Sequence, residues 1–154
     1  MNTRQRWLLR FVSLWPPFLG AGIRVRVLAE DPLEFESRLR LAWSNRNWVG
    51  THYGGSLYSM CDPFYMILLA EALGPGFVVW DKSATIRYLR PGRGTVRARF
   101  AIPEQRIEEI RAEAESVGRA TPRFECVVLD GSDERIAVVE KVISVRLAGA
   151  PEPI

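Results

Sequence analysis

Apolar and polar positions recur with two periods along the chain, and each change of period marks an element. Over residues 3–15, Trp7, Leu8, Phe11, Leu14 and Trp15 fall on one side, with Arg6, Arg10 and Ser13 on the other. That spacing predicts an amphipathic helix of about three turns, stopped by Pro16-Pro17. Gly20 and Gly22 follow as a flexible joint closing an N-terminal segment of residues 1–22. Ile23-Arg24-Val25-Arg26-Val27 then alternates apolar and charged residues, the signature of a half-exposed strand. A second period-two run, FESRLRLAW from Phe35 to Trp43, puts Phe35, Ser37, Leu39, Leu41 and Trp43 on one face.

Neither period describes the next element. From Gly54 to Leu73 the chain is apolar almost throughout, which predicts a long helix buried on all sides. Pro63 inside it cannot donate to the carbonyl of Ser59 and should distort the helix there. Gly74-Pro75-Gly76 stops it. Strands are predicted over Phe77–Leu89, with an early irregularity, and over Thr95–Ile102, joined by the turn Pro91-Gly92-Arg93-Gly94. Pro103 to Gly118 is rich in Glu, Arg and Ala, with Ile107, Ile110, Ala114 and Val117 as a narrow apolar stripe on a solvated helix. A hairpin closes the chain: Phe124–Leu129, the turn Asp130-Gly131-Ser132-Asp133, and Ile136–Leu147. Residues 149–154 form a Pro-rich, loose tail. The expected architecture is a single α+β domain over residues 1–154, an antiparallel sheet with one long helix buried against it.

Composition narrows the classes. Of 154 residues 47% are hydrophobic and 25% charged, which excludes a disordered or fibrous chain. The net charge of +3 is spread along the sequence rather than gathered on one face, so nucleic acid is not an expected partner. No apolar run reaches the ~18–20 residues a bilayer span needs. Arg10 and Pro16-Pro17 break up the N-terminal apolar stretch, so neither membrane insertion nor a signal peptide is expected. Cys61 and Cys126 have no metal or redox spacing and read as buried free thiols of a reducing, cytoplasmic compartment. One histidine and two distant cysteines supply no metal-ligand set.

The candidate chemistry lies at the start of the long helix. Gly54 and Gly55 bring unsatisfied backbone N–H groups where bulky side chains cannot block them, a place suited to an oxyanion or a polarised carbonyl. Asp62, about two turns on, is a carboxylate among apolar residues, where its pKa should rise toward general-base use. Asn47, Thr51, His52 and Tyr53 lead into the glycines as further site candidates, and Lys82, Arg87, Arg90 and Arg93 are cations able to grip phosphates. Ser56 and Ser59 have no His–Asp partners and are not expected nucleophiles.

The spacing Asn47-x-x-Gly50-Thr51-x-Tyr53-Gly54-Gly55, with Asp62 seven residues after the second glycine, resembles the signature Asn-x-x-Gly-Thr-x-His-Gly-Gly-(six residues)-Asp of phenylacetate-pathway-type acyl-CoA thioesterases of the hotdog fold. Ala84 to Pro91 is similar to the strand that follows the helix in those enzymes, and the polar helix and Trp-rich N-terminus resemble the branch labelled tetrameric acyl-CoA thioesterase. The resemblance implies a dimer or a dimer of dimers with an acyl-CoA in a tunnel between subunits. It implies that the Gly54 or Gly55 amide meets the thioester carbonyl, that Asp62 acts as base or nucleophile, and that CoA enters only as part of the substrate, with no separate cofactor. One departure stands out: the histidine before Gly-Gly is Tyr53 here, and the only histidine, His52, comes one position earlier. Either His52 reaches the site through a local bulge, or Tyr53 offers its phenol, or the function is absent. A hotdog module that binds acyl groups without turnover is therefore the alternative to an enzyme.

Overall fold

The computed structural model describes residues 12–149. Among the described residues, seven strands and four α-helices follow a short 3-10 helix, Val12–Leu14. The strands are β1 (Ile23–Glu30), β2 (Leu33–Arg40), β3 (Phe77–Tyr88), β4 (Thr95–Phe100), β5 (Arg119–Ala120), β6 (Arg123–Leu129) and β7 (Arg135–Leu147). The helices are α1 (Pro16–Ala21), α2 (Gly54–Ser59), α3 (Phe64–Leu73) and α4 (Glu104–Val117). The strands form one antiparallel sheet in the order β1-β2-β4-β6-β7-β3, with the short β5 pairing β7.

Alternation fixes which residues of the sheet look inward. On β7, Ala137, Val139, Ile143 and Val145 are fully buried, and the intervening Glu140 is exposed. Phe35 and Leu39 of β2, Val96, Ala98 and Phe100 of β4, and Cys126 and Val128 of β6 join them in the core. Against this face lies α3, burying Phe64, Tyr65, Leu68, Leu69 and Leu73. Phe64 stacks on Phe100 at 4.5 Å and meets Phe35 at 5.4 Å and Phe18 at 6.1 Å, so one ring joins helix, sheet and the N-terminal helix α1.

The single helix expected over 54–73 is two helices. Pro63 has no N–H, so the ladder stops at Ser59, and Met60–Pro63 makes an irregular link before α3 begins. The link is fastened to the sheet, because the Ser37 hydroxyl donates to the Met60 carbonyl at 2.6 Å. Other expectations are corrected as well. Pro16-Pro17 opens α1 rather than only ending a helix, which suits proline at the first helical positions, and Gly22 caps α1 with φ 79°. Strand β2 stops at Arg40, leaving Trp43 84% exposed instead of on the buried face. The stripe on α4 buries Ile110 and Ala114, but Val117 is 69% exposed beside the capping Gly118. The irregularity expected in β3 is a bulge at Lys82: Asp81 pairs with Ile143 and Ser83 with Val142. Most of the helix expected over residues 3–15, and the tail from residue 150, lie outside the described residues.

Candidate active site

The loop before α2 is built around Asn47. Its side-chain amide donates to Thr51 Oγ1 at 2.8 Å and to the His52 carbonyl at 3.2 Å, while Oδ1 accepts from the N–H groups of Val49 and Thr51. Asn47 thus spends its hydrogen bonds on shaping the loop. His52 follows, 3% exposed and held against the turn after β3. Its backbone N–H donates to the Gly92 carbonyl, and its Nε2 lies 3.1 Å from the Gly94 carbonyl, the geometry of an Nε2–H donor. Burial pushes the imidazole pKa below its ordinary value, against the pull of the Gly94 carbonyl. Nδ1 is buried with no hydrogen-bond partner among the described residues.

Tyr53, not His52, is the side chain presented at the helix start. Its carbonyl accepts from the N–H groups of Ser56 and Leu57, leaving Gly54 and Gly55 outside the helical ladder. Its ring lies so close over Gly55 that a Cβ there would sit 2.5 Å from Cε1. Tyr88, from the end of β3, covers Gly54 in the same way, its hydroxyl 2.8 Å from where a Cβ would be. A side chain at either position would have to push one of these two phenol rings aside. Asn47, Thr51, His52, Tyr53, Gly54, Gly55 and Arg90 all line one cavity of about 730 Å³, completed by Tyr88, Leu89 and Arg93. Arg90 Nη1 is also paired with Glu134.

Asp62 is not in that cavity. It belongs to a second cluster, past the C-terminal end of α2. Lys141 of β7 occupies an inward position between Val139 and Ile143 and is 0% exposed. Its Nζ reaches Asp62 Oδ1 at 2.8 Å, Asp81 Oδ2 at 3.0 Å and the Tyr58 hydroxyl at 3.4 Å. Tyr58, one helical turn before Asp62, donates its hydroxyl to the same Oδ1 at 2.5 Å. The expectation of an isolated carboxylate in apolar surroundings is thus replaced by a charge network, with the Asp62 side chain 43% exposed. Burial alone would lower the Lys141 pKa, but its bonds to Asp62 and Asp81 outweigh that and raise it. Burial raises the Asp81 pKa, opposed by Lys141, and burial with Asp62 raises that of the Tyr58 phenol. The thiols of Cys61 and Cys126, both buried and free, adjoin this cluster; their mutual hydrogen bond and burial push Cys61 well up.

The remaining candidates lie apart from both clusters. Lys82 is the bulged residue of β3, and Arg87 lies on the outer face of the sheet, 3.3 Å from Glu140 and 3.9 Å from Glu125. Tyr58, Asp81, Tyr88 and Lys141 are members of the two clusters that pattern reading passed over. A signal for Lys141 was present: a lysine at an inward-facing position of the apolar strand VVEKVIS.

The profile of one protein family, described as a domain of unknown function (DUF4442), matches residues 4–145. No curated protein matches the chain in sequence. Among solved structures, a Pseudomonas aeruginosa protein of unknown function, PA5026, described as a probable thioesterase, superposes with TM-score 0.83 at 23% identity, covering 96% of this chain and 98% of that one. The thioesterase HI1161 of Haemophilus influenzae superposes with TM-score 0.67 at 15% identity, over 94% and 92% of the two chains. A protein of unknown function from Chlorobaculum tepidum, OLEI01261, gives TM-score 0.70 at 18% identity, over 94% of each. At these identities the likeness shows the fold, an antiparallel sheet curled around a helix in the hotdog manner.

Proposed function

The chain belongs to the DUF4442 family, and from that membership and its hotdog fold we propose that it is an acyl-CoA thioesterase whose active site forms between two copies. The carrying observation is the division of the signature residues. Gly54 and Gly55 line one cavity of the protomer, whereas Asp62 stands 43% exposed in another cluster. Each protomer holds two halves of a site that it does not join.

Strand β3 supplies the means of joining them. It is an edge of the sheet, twelve residues long, with Val78, Trp80 and Tyr88 exposed. Such an edge invites a partner strand. Asp81, beside Asp62, lies in one half of β3, and Tyr88, over Gly54, lies at its end. Antiparallel pairing of two β3 strands about a two-fold axis brings the Asp81 half of one copy toward the Tyr88 end of the other. The thioester carbonyl then meets the Gly54 and Gly55 N–H groups of one copy and the carboxylate of the other. Asp62 takes a proton from water, the water oxygen bonds the carbonyl carbon, and the oxyanion rests on the glycine amides. Collapse breaks the C–S bond and expels the CoA thiolate, which recovers the proton. In this reading Arg90 and Arg93, which line the cavity, meet the phosphates of CoA. The structural likeness to PA5026, described as a probable thioesterase, and to the thioesterase HI1161 supports a thioester as the substrate class.

The second reading, an acyl-binding module without turnover, draws on Tyr53 standing where the signature has histidine, with His52 turned to the Gly94 carbonyl. A panel of acyl-CoAs with thiol detection, run on the parent and Asp62→Ala, separates the two. The enzyme reading expects turnover in the parent and a loss of about 10²–10⁴-fold in Asp62→Ala, the usual range for removing a positioned acid–base group. Tight acyl-CoA binding with no release of thiol by the parent would favour the binding module.

A further inference from the structure

An ammonium buried among aliphatic side chains is costly unless it is paired, and a single carboxylate would satisfy that need. Lys141 has two. Asp81, the more buried partner, already balances its charge at 3.0 Å. Asp62 is therefore surplus to the neutrality of the cluster, and it is the more exposed of the two carboxylates. Its hydrogen bonds are also unequal. Both the Tyr58 hydroxyl and Lys141 Nζ fall on Oδ1, and among the described residues no group engages Oδ2.

We propose that Lys141 and Tyr58 are positioning residues for the reaction at Asp62: together they occupy Oδ1, fix the carboxylate's rotation and leave Oδ2 as the oxygen offered to the attacking water. This rests on the thioesterase reading above and names residues that the Asn–Gly–Gly–Asp signature does not contain. Asp81 acts one step further out. Carried by the bulged stretch of β3, it holds the ammonium so that Lys141 does not neutralise Asp62 alone. The cluster carries two carboxylates and one ammonium, so a net negative charge remains, and it resides on the carboxylate nearest solvent. A purely structural lysine has no need of this asymmetry; an aliphatic residue continuing the run of Val139 and Ile143 would pack as well.

The titratable groups around Asp62 are Tyr58 on α2, Asp81 on β3, Lys141 on β7 and the thiols Cys61 and Cys126. Removing the ammonium leaves Oδ1 of Asp62 held by the Tyr58 hydroxyl alone. The test compares acyl-CoA hydrolysis for the parent, Asp62→Asn, Tyr58→Phe, Lys141→Met, Lys141→Arg and the double variant Lys141→Met/Asp81→Asn. The double variant removes the ammonium and its balancing carboxylate together, so it keeps the experiment decisive where Lys141→Met alone does not fold. Expected for the folded lysine variants is a fall in kcat of about 10–100-fold with KM little changed. Lys141→Arg should recover part of the rate, and Tyr58→Phe should show a smaller loss in the same direction. A folded double variant with the parent's kcat, alongside an inactive Asp62→Asn, would overturn the positioning role and leave the thioesterase reading standing. An active Asp62→Asn would take Asp62 out of the chemistry and the inference with it while leaving the hydrolysis itself standing; a parent without turnover would remove the thioesterase reading.

Discussion

His52 is a neutral imidazole clamped to the turn after β3, and its protonation is coupled to folding. Burial holds its folded pKa below the ordinary 6.5, so near and below that pH the unfolded chain binds a proton that the folded chain does not. The contribution of His52 is therefore full above pH 6.5 and declines as pH falls through the lowered folded value. Asp81 has the opposite sign in a more acid window: burial raises its pKa above 3.8, so its contribution is largest below 3.8 and is lost as pH rises through the folded value. Urea unfolding at about pH 7.5 and about pH 5.5 should show the parent losing stability at the lower pH, and His52→Asn losing less. Equal losses in the two proteins would rule out His52 as the source. At this scale the sequence was partly readable. Glycine at 54 and 55 and the carboxylate at 62 stand out by spacing. Spacing could not reveal that His52 turns to Gly94 while Tyr53 takes the helix start, because that depends on the turn packed beside the loop. Nor could it reveal Lys141 as the partner of Asp62, since the two are 79 residues apart and meet only through the sheet.

The two helices that replace the expected one show how an element serves the site. Had the ladder run unbroken from Gly54 to Leu73, one continuous cylinder would have set the direction of Asp62. The link at Met60–Pro63, tied to Ser37, lets α2 and α3 take separate courses, with Asp62 at their joint. Packing of α3 depends most on Phe64, which touches rings from α1, β2 and β4. Phe64→Ala should destabilise the protein by about 3–5 kcal/mol, read by urea unfolding at pH 7.5; a cost below about 1 kcal/mol would mean that the ring cluster is not central to the core. Period-two and apolar runs located the strands and the buried helix, because burial imposes those patterns directly. The ends were harder to place. Pro16-Pro17 fits a helix start as well as a stop, and Trp43 extended the alternation of β2 by chance after the backbone had already left the sheet.

For the whole molecule, the proposed function requires that two groups lying apart in one protomer, the glycines at the start of α2 and Asp62, be joined by a second copy. The edge strand β3 connects them in sequence, with Asp81 in one half and Tyr88 at its end. Its exposed Val78 and Trp80 lie on the outer face of that edge strand, alternating with Phe77 and Val79, which pack on the core. A charge on that edge should prevent assembly without disturbing the core: Trp80→Glu is expected to give a folded monomer by sizing and to lose turnover, whereas an active monomer would place the whole site within one chain. The most direct measurement is complementation between two defective chains. Asp62→Asn lacks the carboxylate, and Gly54→Val blocks the amide side by displacing the Tyr88 ring. When the two are co-expressed in equal amounts, half of the dimers are mixed and each mixed dimer holds one intact site, so activity should return to about a quarter of the parent's. Mixed dimers that form, yet hydrolyse acyl-CoA no faster than either variant alone, would contradict a site shared between subunits.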